Sequence, residues 1–297
     1  MIAARLECAG RALVLDRPRI CGILNLTADS FSGDGIGGAV EAAVQHGLRL
    51  VEEGADLLDI GAESTRPGAE PVPAEQEIAR LVPVLEALAA RTTVPLAVDT
   101  SKPEVMRAAV AAGAGMINDV CALRRDGALD AAAALGVPVC LMHMQGEPRT
   151  MQDDPHYDDV VGEVHRFLGD RLFACQLAGI DRKNIVVDPG FGFGKTLAHN
   201  VELLRSLARF AELAPVLAGL SRKAMIGTLT GREGGAARAT GSAVAALLAV
   251  QNGAAIVRVH DVAATRDALA VWQGVGPAAS SNRREVAPSR PTSWDED

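Results

Sequence analysis

Residues 94–120 read VPLAVDTSKPEVMRAAVAAGAGMINDV and contain one complete copy of a unit that recurs through the chain. A short apolar run stops at Asp99, a helical pattern begins near Pro103, and Gly113 stands where a left-handed helix end favours glycine. A second apolar run then stops at Asn118. Parallel strands that are buried on both faces are continuous apolar runs, and a helix is their usual connection. The stretch therefore predicts a strand, a helix and a second, parallel strand.

Eight apolar runs along the chain stop at a polar residue in this way. We expect strands near residues 20–24, 56–60, 95–99, 115–119, 137–142, 185–188, 215–219 and 254–259. The residues at which they stop are Asn25, Asp59, Asp99, Asn118, His143, Asp188, Ser221 and the Arg258/His260 pair. This alternation is typical of an α/β protein with a (β/α)8 TIM barrel, in which the strand ends converge on one face. Structural polar caps explain some of these stops but not readily all eight, so we predict one polar pocket.

The chain is long enough for a single barrel with some additional sequence. It has 297 residues, of which 48% are hydrophobic, and we expect one domain over residues 1–273. Three long βα loops, the first, second and fifth, span residues 27–38, 63–72 and 144–157, on the face where such loops usually serve a site. Residues 274–297 contain no Leu, Ile or Phe, and we predict that this tail is disordered.

The composition argues against several classes of protein. A formal net charge of -8 disfavours binding to nucleic acid, which depends on dense Lys and Arg. The five cysteines are odd in number and contain no C-x-x-C spacing, so they favour a reduced, cytoplasmic protein over a disulfide or zinc protein. The chain shows neither an apolar signal segment near its start nor an apolar run long enough to cross a membrane, so we expect no membrane association.

Two glycine-rich stretches resemble nucleotide-binding motifs but have the wrong context. Gly33, Gly35 and Gly38 fit G-x-G-x-x-G, yet eight residues separate this motif from the expected end of the first strand. The segment GFGFGKT at 190–196 resembles a phosphate-binding P-loop, but its spacing is one residue short. We interpret both as loops of the barrel.

Eight short strings at the expected strand ends are more specific together than any one of them alone. They are ILNLTADSFSGDG (23–35), DIGAESTRPGA (59–69), VDTSKPEV (98–105), INDV (117–120), HMQGEPRTMQ (143–152), DPGFGFGKT (188–196), GLSRK (219–223) and RVHDV (258–262). The series resembles the dihydropteroate synthases, pterin-binding enzymes of folate biosynthesis that sulfonamides inhibit. The resemblance runs from about Ile20 to Ala263, and it implies a cytoplasmic, homodimeric transferase.

The implied reaction condenses 6-hydroxymethyl-7,8-dihydropterin pyrophosphate with p-aminobenzoate in the presence of Mg2+. Its products are 7,8-dihydropteroate and pyrophosphate. A pterin presents adjacent N–H donors that a carboxylate accepts in bidentate fashion, and Asp188 is our candidate for that role. By resemblance, Asp99, Asn118 and Lys223 also contact the pterin. The alternatives are that Asp99 caps the helix after it and that Asn118 holds a strand end.

The departing pyrophosphate needs positive charge, for which the resemblance implies Arg66, Arg258 and His260. Arg258 and His260 alternate on the last strand, so both side chains can point to the same mouth. The resemblance makes Asn25 the metal ligand, and its neutral hard oxygen suits Mg2+ that already has phosphate and water ligands. His260 has the alternative of a satisfied core histidine. The implied catalytic residues are Arg66, Lys223, Arg258 and His260, and those that bind pyrophosphate are Asn25, Arg66, Arg258 and His260.

The second substrate needs a flat apolar slot and a partner for its carboxylate. The residues that the resemblance implies are Thr65, Pro67, Phe193, Ser221 and Lys223. Ser221 lies just before an expected helix start, so it could be only an N-cap. Ala28 stands where the family commonly has proline, which removes a constraint on the first loop.

Other functions remain open at this point. The strings also fit a synthase for a modified pterin or a different aryl amine, whose slot shape decides the substrate. A pterin-binding methyltransferase has no need for the STRPG and SRK strings. A non-catalytic paralogue has no need for the residues that handle pyrophosphate.

Overall fold

Parallel strands close into a barrel that encloses the candidate pocket. The computed structural model describes residues 4–26, 35–64, 69–147 and 150–275. The barrel strands are β3 (Arg19–Asn25), β4 (Leu57–Gly61), β5 (Leu96–Asp99), β6 (Met116–Asp119), β7 (Val139–Met142), β8 (Ile185–Asp188), β9 (Val216–Ala218) and β10 (Ala254–Val259). Each pairs in parallel with its neighbour, and β10 closes the barrel against β3. The eight strands and the barrel predicted from the apolar runs are confirmed.

Helices follow the strands and cover the outside of the barrel. They are α1 (Gly35–Glu53), α2 (Ala74–Arg91), α3 (Pro103–Ala111), α4 (Ala128–Leu135), α5 (Val160–Leu177), α6 (Leu197–Arg205), α7 (Ala224–Thr230), α8 (Ala239–Gln251) and α9 (Val262–Val275). The outward-facing strand residues and the inner faces of the helices form the larger hydrophobic core. Gly113 has a φ of 108°, as its place just after α3 predicts.

A β-hairpin that the sequence patterns did not predict lies at the amino-terminal end of the barrel. It consists of β1 (Ala4–Cys8) and β2 (Arg11–Leu15), joined by Ala9 and Gly10 with φ values of 49° and 81°. Positive φ at both turn residues matches the twist of a two-residue hairpin. The guanidinium of Arg11 ties the hairpin to the barrel through the carbonyls of Ala89 and Val94, at 2.7 and 3.0 Å.

The inside of the barrel is built in layers, as the period of two along each strand requires. The lowest layer is apolar and packs against Leu6, Cys8 and Leu13 of the hairpin. Its strand residues are Cys21, Leu57, Ala97, Met116, Cys140, Val186, Leu217 and Ile256. The residues two positions further along these strands are Ile23, Asp59, Asp99, Asn118, Met142, Asp188, Gly219 and Arg258. The fold thus places a largely polar layer directly above a sealed apolar floor.

The strand limits agree with the predicted ones to within two residues, and two helices differ from the predicted loop and tail boundaries. Helix α1 begins at Gly35, so it includes residues that were assigned to the first long loop. Helix α9 continues through Val275, two residues into the stretch assigned to the tail. Residues 276–297 lie outside the described residues, so the predicted disorder of the tail stays a prediction. Over the described ranges, no helix is long and apolar enough to cross a membrane.

Candidate active site at the carboxyl ends of the strands

Arg258 lies between two carboxylates of the polar layer. Its Nε donates to Oδ2 of Asp59, and its Nη2 donates to Oδ2 of Asp99 at 2.8 Å. The same oxygen of Asp59 accepts a hydrogen bond from Nδ2 of Asn118 at 3.0 Å. One arginine therefore joins strands β4, β5 and β10, and Asp59 joins β4 to β6.

Asp59 is a site residue to which the sequence patterns assigned no role. Its side chain is 1% exposed, and among the described residues its Oδ1 has no hydrogen-bond partner. A buried carboxylate oxygen without a donor is costly, so a group that donates to this atom would be bound favourably. The signal that could have identified Asp59 is its position in the same inward-facing layer as Asp99 and Asn118.

The electrostatics of this layer depend on burial and on mutual pairing. Burial raises the pKa of Asp99 to about 7, against the lowering effect of Arg258. Burial also raises the pKa of Asp188, against the lowering effect of Lys223. The carboxylates raise the pKa of Arg258 above its usual value although burial opposes this. Arg258 is therefore charged at any working pH.

Asp188 and the glycine-rich loop after β8 form one wall of the pocket. Asp188 is 5% exposed, and its Oδ1 accepts the N–H of Gly190 at 2.7 Å. Gly190 has a φ of 70°, and a Cβ there would overlap the carbonyl oxygen of His143. This position therefore requires glycine, and the required turn fixes the Asp188 carboxylate.

Lys223 reaches across to the same wall. Its Nζ donates to the carbonyl oxygen of Phe191 and lies 4.5 Å from the centre of the Phe193 ring. Burial lowers the pKa of Lys223 to about 8, and the nearby Asp188 opposes this shift. An ammonium over an aromatic face is a favourable arrangement, so lysine and ring together form a flat surface beside Asp188.

Ser221 and His260 face each other one layer above Arg258. The hydroxyl oxygen of Ser221 accepts the N–H of His260 at 3.1 Å and lies 3.1 Å from its Nδ1. The N-cap alternative for Ser221 is wrong, because Lys223 is the N-cap residue of α7. The capping alternative for Asp99 is also wrong, because α3 starts after Lys102 without a side-chain cap and Asp99 pairs with Arg258.

Asn25 ends strand β3, where its side chain is exposed. In the described part of the chain, no group of three or more His, Cys, Asp or Glu side chains could hold a metal ion. The predicted site residues Thr65, Arg66 and Pro67 lie outside the described residues. The structure therefore brings together Asp99, Asn118, Asp188, Phe193, Ser221, Lys223, Arg258 and His260 at the carboxyl end of the barrel, with Asn25 at its rim.

Two buried lysines near the pocket had no predicted role. Lys195 is 3% exposed, and its Nζ lies 3.0 Å from Nδ1 of His143 and 2.9 Å from the carbonyl oxygen of Phe193. Burial lowers the pKa of His143 to about 2, so this imidazole is neutral and can accept from the lysine. Lys102 contacts Glu63 and Glu77 at 2.7 and 2.6 Å. These contacts fix the segments that carry Phe193 and the start of the second long loop.

The fold and the pocket define a (β/α)8 enzyme whose site lies at the carboxyl ends of its strands. A family model described as "Pterin binding enzyme" matches residues 21–260. The dihydropteroate synthase of Escherichia coli (strain K12) is 47% identical over 95% of this chain and 100% of its own length. The chain therefore belongs to the pterin binding enzyme family.

Solved structures agree with this assignment. The dihydropteroate synthase of Xanthomonas albilineans, solved with 4-aminobenzoic acid, is 65% identical with a TM-score of 0.86, over 92% of this chain and 98% of that one. The same organism's enzyme in complex with 7,8-dihydropteroate is 63% identical with a TM-score of 0.84, over 91% and 98%.

Proposed function

We propose that this chain is a transferase that condenses 6-hydroxymethyl-7,8-dihydropterin pyrophosphate with p-aminobenzoate to 7,8-dihydropteroate and pyrophosphate. The observation that carries the proposal is the set of buried and half-buried carboxylates and cations at the strand ends, Asp59, Asp99, Asp188, Lys223 and Arg258. It occurs in a chain 63% identical to a relative solved with the product of this reaction.

The pterin binds between Asp188 and the Arg258 network. Oδ1 of Asp188 accepts the N–H of Gly190, which fixes the carboxylate, while Oδ2 and the second lone pair of Oδ1 accept the adjacent donors of the ring. Asn118 and Asp99 contact the edge of the pterin ring that lies away from Asp188. Lys223 donates to the oxygen or a nitrogen of that ring. Because these groups stand on strands or next to them, the pocket is formed before the pterin arrives.

The pyrophosphate lies above this layer, towards Asn25 and His260. The contacts of Arg258 with Asp59 and Asp99 use Nε and Nη2, so Nη1 is the nitrogen that reaches a phosphate oxygen. Asn25, exposed at the rim of the barrel, would hold Mg2+ through its one hard side-chain oxygen, and phosphate and water would supply the other ligands. When bound, Mg2+ neutralises charge that develops on the leaving group. Arg66 would supply a further cation.

Bond cleavage leaves a carbon attached to the pterin ring, which delocalises positive charge. The carboxylates of Asp99 and Asp188 face that ring and stabilise the charge as it develops. The aniline nitrogen of p-aminobenzoate is neutral near pH 7 and attacks this carbon as pyrophosphate departs. The nitrogen, acidic once it is bonded to the carbon, then loses its proton to water, so no strong base is required. The contribution of the chain is therefore positioning and electrostatics.

The p-aminobenzoate ring takes the slot beside the Phe193 ring and the stem of Lys223. Ser221 is 6% exposed at the end of this slot, where its hydroxyl can donate to the carboxylate. Thr65 and Pro67 would complete the slot. We expect sulfonamides to compete for the same place, since they share the aniline group and a flat ring.

The test is release of pyrophosphate by the purified chain, with and without p-aminobenzoate. We expect release that depends on both p-aminobenzoate and Mg2+. Pyrophosphate release only with another aryl amine would contradict the proposed second substrate. No release with any amine would point to a binding protein or a methyltransferase and would contradict the proposal.

We further propose a cytoplasmic homodimer. The five cysteines are free thiols, and four of them are buried, which suits a reducing compartment. Val244 and Leu248 lie one turn apart on α8 and are 50% and 42% exposed, so they are candidates for a subunit interface. Light scattering should give twice the mass of the chain, and Val244→Lys should shift it towards the monomer.

A further inference from the structure

Two neighbouring residues of the loop after β9 contact two neighbouring residues at the end of β10. Ser221 contacts His260 through its hydroxyl, and this is the inner pair. One residue further, Nε of Arg222 donates to Oδ2 of Asp261 at 2.9 Å, and Nη2 donates to Oδ1. This outer pair is bidentate, a geometry that fixes orientation as well as distance. The two pairs lie in parallel, so the outer pair restrains the inner one.

The backbone of Arg222 has a conformation that needs restraint. Its φ is 59°, in the left-handed region that L-residues other than glycine avoid. Its N–H donates to the hydroxyl of Ser242 at 2.9 Å, and its carbonyl accepts from Nη1 of Arg238 at 3.0 Å. The backbone and side chain of Arg222 are therefore held by residues that the proposed reaction does not use.

The left-handed turn separates two residues that face the pocket. Ser221 precedes it and faces His260, while Lys223 follows it and reaches Phe191. If residue 222 relaxed to an ordinary backbone conformation, the two side chains would no longer point to the same slot. Asp99 and Asp188 stand on strands and do not depend on this turn.

We propose that the Arg222–Asp261 ion pair is a positioning element that holds the left-handed turn and thereby shapes the p-aminobenzoate end of the pocket. The inference rests on the proposed function, since it assigns that slot to the second substrate. Neither Arg222 nor Asp261 touches substrate. They act through Ser221, His260 and Lys223.

A simple surface salt bridge would contribute little and would affect only stability. Asp56 provides the matched control, because its carboxylate also accepts hydrogen bonds from two arginines. They are Nη2 of Arg17 and Nη1 of Arg19, the latter at 2.9 Å. Its side chain is 11% exposed and that of Asp261 is 17% exposed. Asp56 lies just before β4, at the opposite end of the barrel from the pocket.

The first experiment compares Asp261→Asn with Asp56→Asn. We expect Asp261→Asn to raise KM for p-aminobenzoate about tenfold and to weaken the calorimetric affinity for 6-hydroxymethyl-7,8-dihydropterin less, by about threefold. The smaller loss follows because Lys223 comes after the turn, whereas the pterin contacts Asp99 and Asp188 stand on strands. Asp56→Asn should leave both unchanged. If wild type turns over and Asp261→Asn has the wild-type KM for p-aminobenzoate, the positioning role is overturned and the proposed function stands. If wild type itself shows no turnover, both fall.

The second experiment separates the turn from the guanidinium. Arg222→Ala and Arg222→Gly both remove the ion pair, but glycine adopts the left-handed conformation without steric cost. We therefore expect Arg222→Gly to have a lower KM for p-aminobenzoate than Arg222→Ala. Adding Asp261→Asn to Arg222→Ala should change this KM no further. Equal KM values for the Ala and Gly variants, with wild-type behaviour of Asp261→Asn, would mean that the guanidinium contacts the ligand directly and would overturn the proposal.

Discussion

The substitution Asp188→Asn tests the pterin pocket with a change of very few atoms. The structure determines how the new amide must orient. Oδ1 of Asp188 accepts the N–H of Gly190 at 2.7 Å, so the amide oxygen has to take that position. The amide NH2 then replaces Oδ2 and presents donors to the donors of the pterin edge.

The expected loss of pterin affinity is about 2 to 4 kcal/mol, roughly 30- to 900-fold in Kd, because buried donors are left facing one another. The free energy of unfolding, in contrast, should not fall. Burial raises the pKa of Asp188, so its ionised form is costly in the folded protein and its loss should not destabilise the fold. Calorimetry with 6-hydroxymethyl-7,8-dihydropterin measures the first effect, and thermal unfolding measures the second.

Asp119→Asn is the matched control. Asp119 ends β6 directly after Asn118 and is 0% exposed, and its oxygens accept the N–H groups of Cys121 and Leu123 at 2.7 and 2.8 Å. Its side chain faces away from the pocket, so this variant should lose about 1 to 3 kcal/mol of stability and keep its pterin affinity. Unchanged pterin affinity in Asp188→Asn, or a large loss in Asp119→Asn, would refute the reasoning.

Three further predictions follow from the same geometry. Asn25→Ala should raise the Mg2+ concentration that gives half-maximal turnover, and superimposable Mg2+ titrations would count against Asn25 as a ligand. Asp59→Ala should lower the free energy of unfolding by about 2 to 3 kcal/mol in urea, because donors of Arg258 and Asn118 lose their acceptor; an unchanged free energy would contradict this. The pKa values of about 7 for Asp99 and about 8 for Lys223 predict a narrow bell-shaped kcat/KM profile, since Asp99 acts ionised and Lys223 acts protonated. Asp99→Asn should remove the acid limb and Lys223→Arg the alkaline limb, and a flat wild-type profile through this range would contradict both assignments.

The barrel could be predicted because its signal is local. Each buried strand is a continuous apolar run, and each run stops where the chain leaves the sheet. The same local pattern therefore occurs eight times along the sequence. Inward positions such as Asp188 and Arg258 were identified as pocket candidates by the same rule. The hairpin of Ala4–Cys8 and Arg11–Leu15 was not predicted, because its strands are short and Ala9 in its turn is not a typical turn residue.

The pairing within the pocket could not be predicted, because it depends on residues far apart in the chain. Arg258 meets Asp59 only after the barrel closes. The period of two along β4 places Asp59 in the inward-facing layer, but it does not show which cation Asp59 contacts. The same holds for Lys195 beside His143. A buried lysine or carboxylate is recognised by its neighbours in space, and burial itself is what changes its pKa.

The most direct test of the central claim is the stoichiometry of the two products. The purified chain should be incubated with 6-hydroxymethyl-7,8-dihydropterin pyrophosphate, p-aminobenzoate and Mg2+, and both products should be quantified over time. We expect 7,8-dihydropteroate, identified by mass spectrometry, and pyrophosphate to form in equal amounts, and we expect neither when p-aminobenzoate is omitted. Pyrophosphate released without 7,8-dihydropteroate would contradict the proposed reaction.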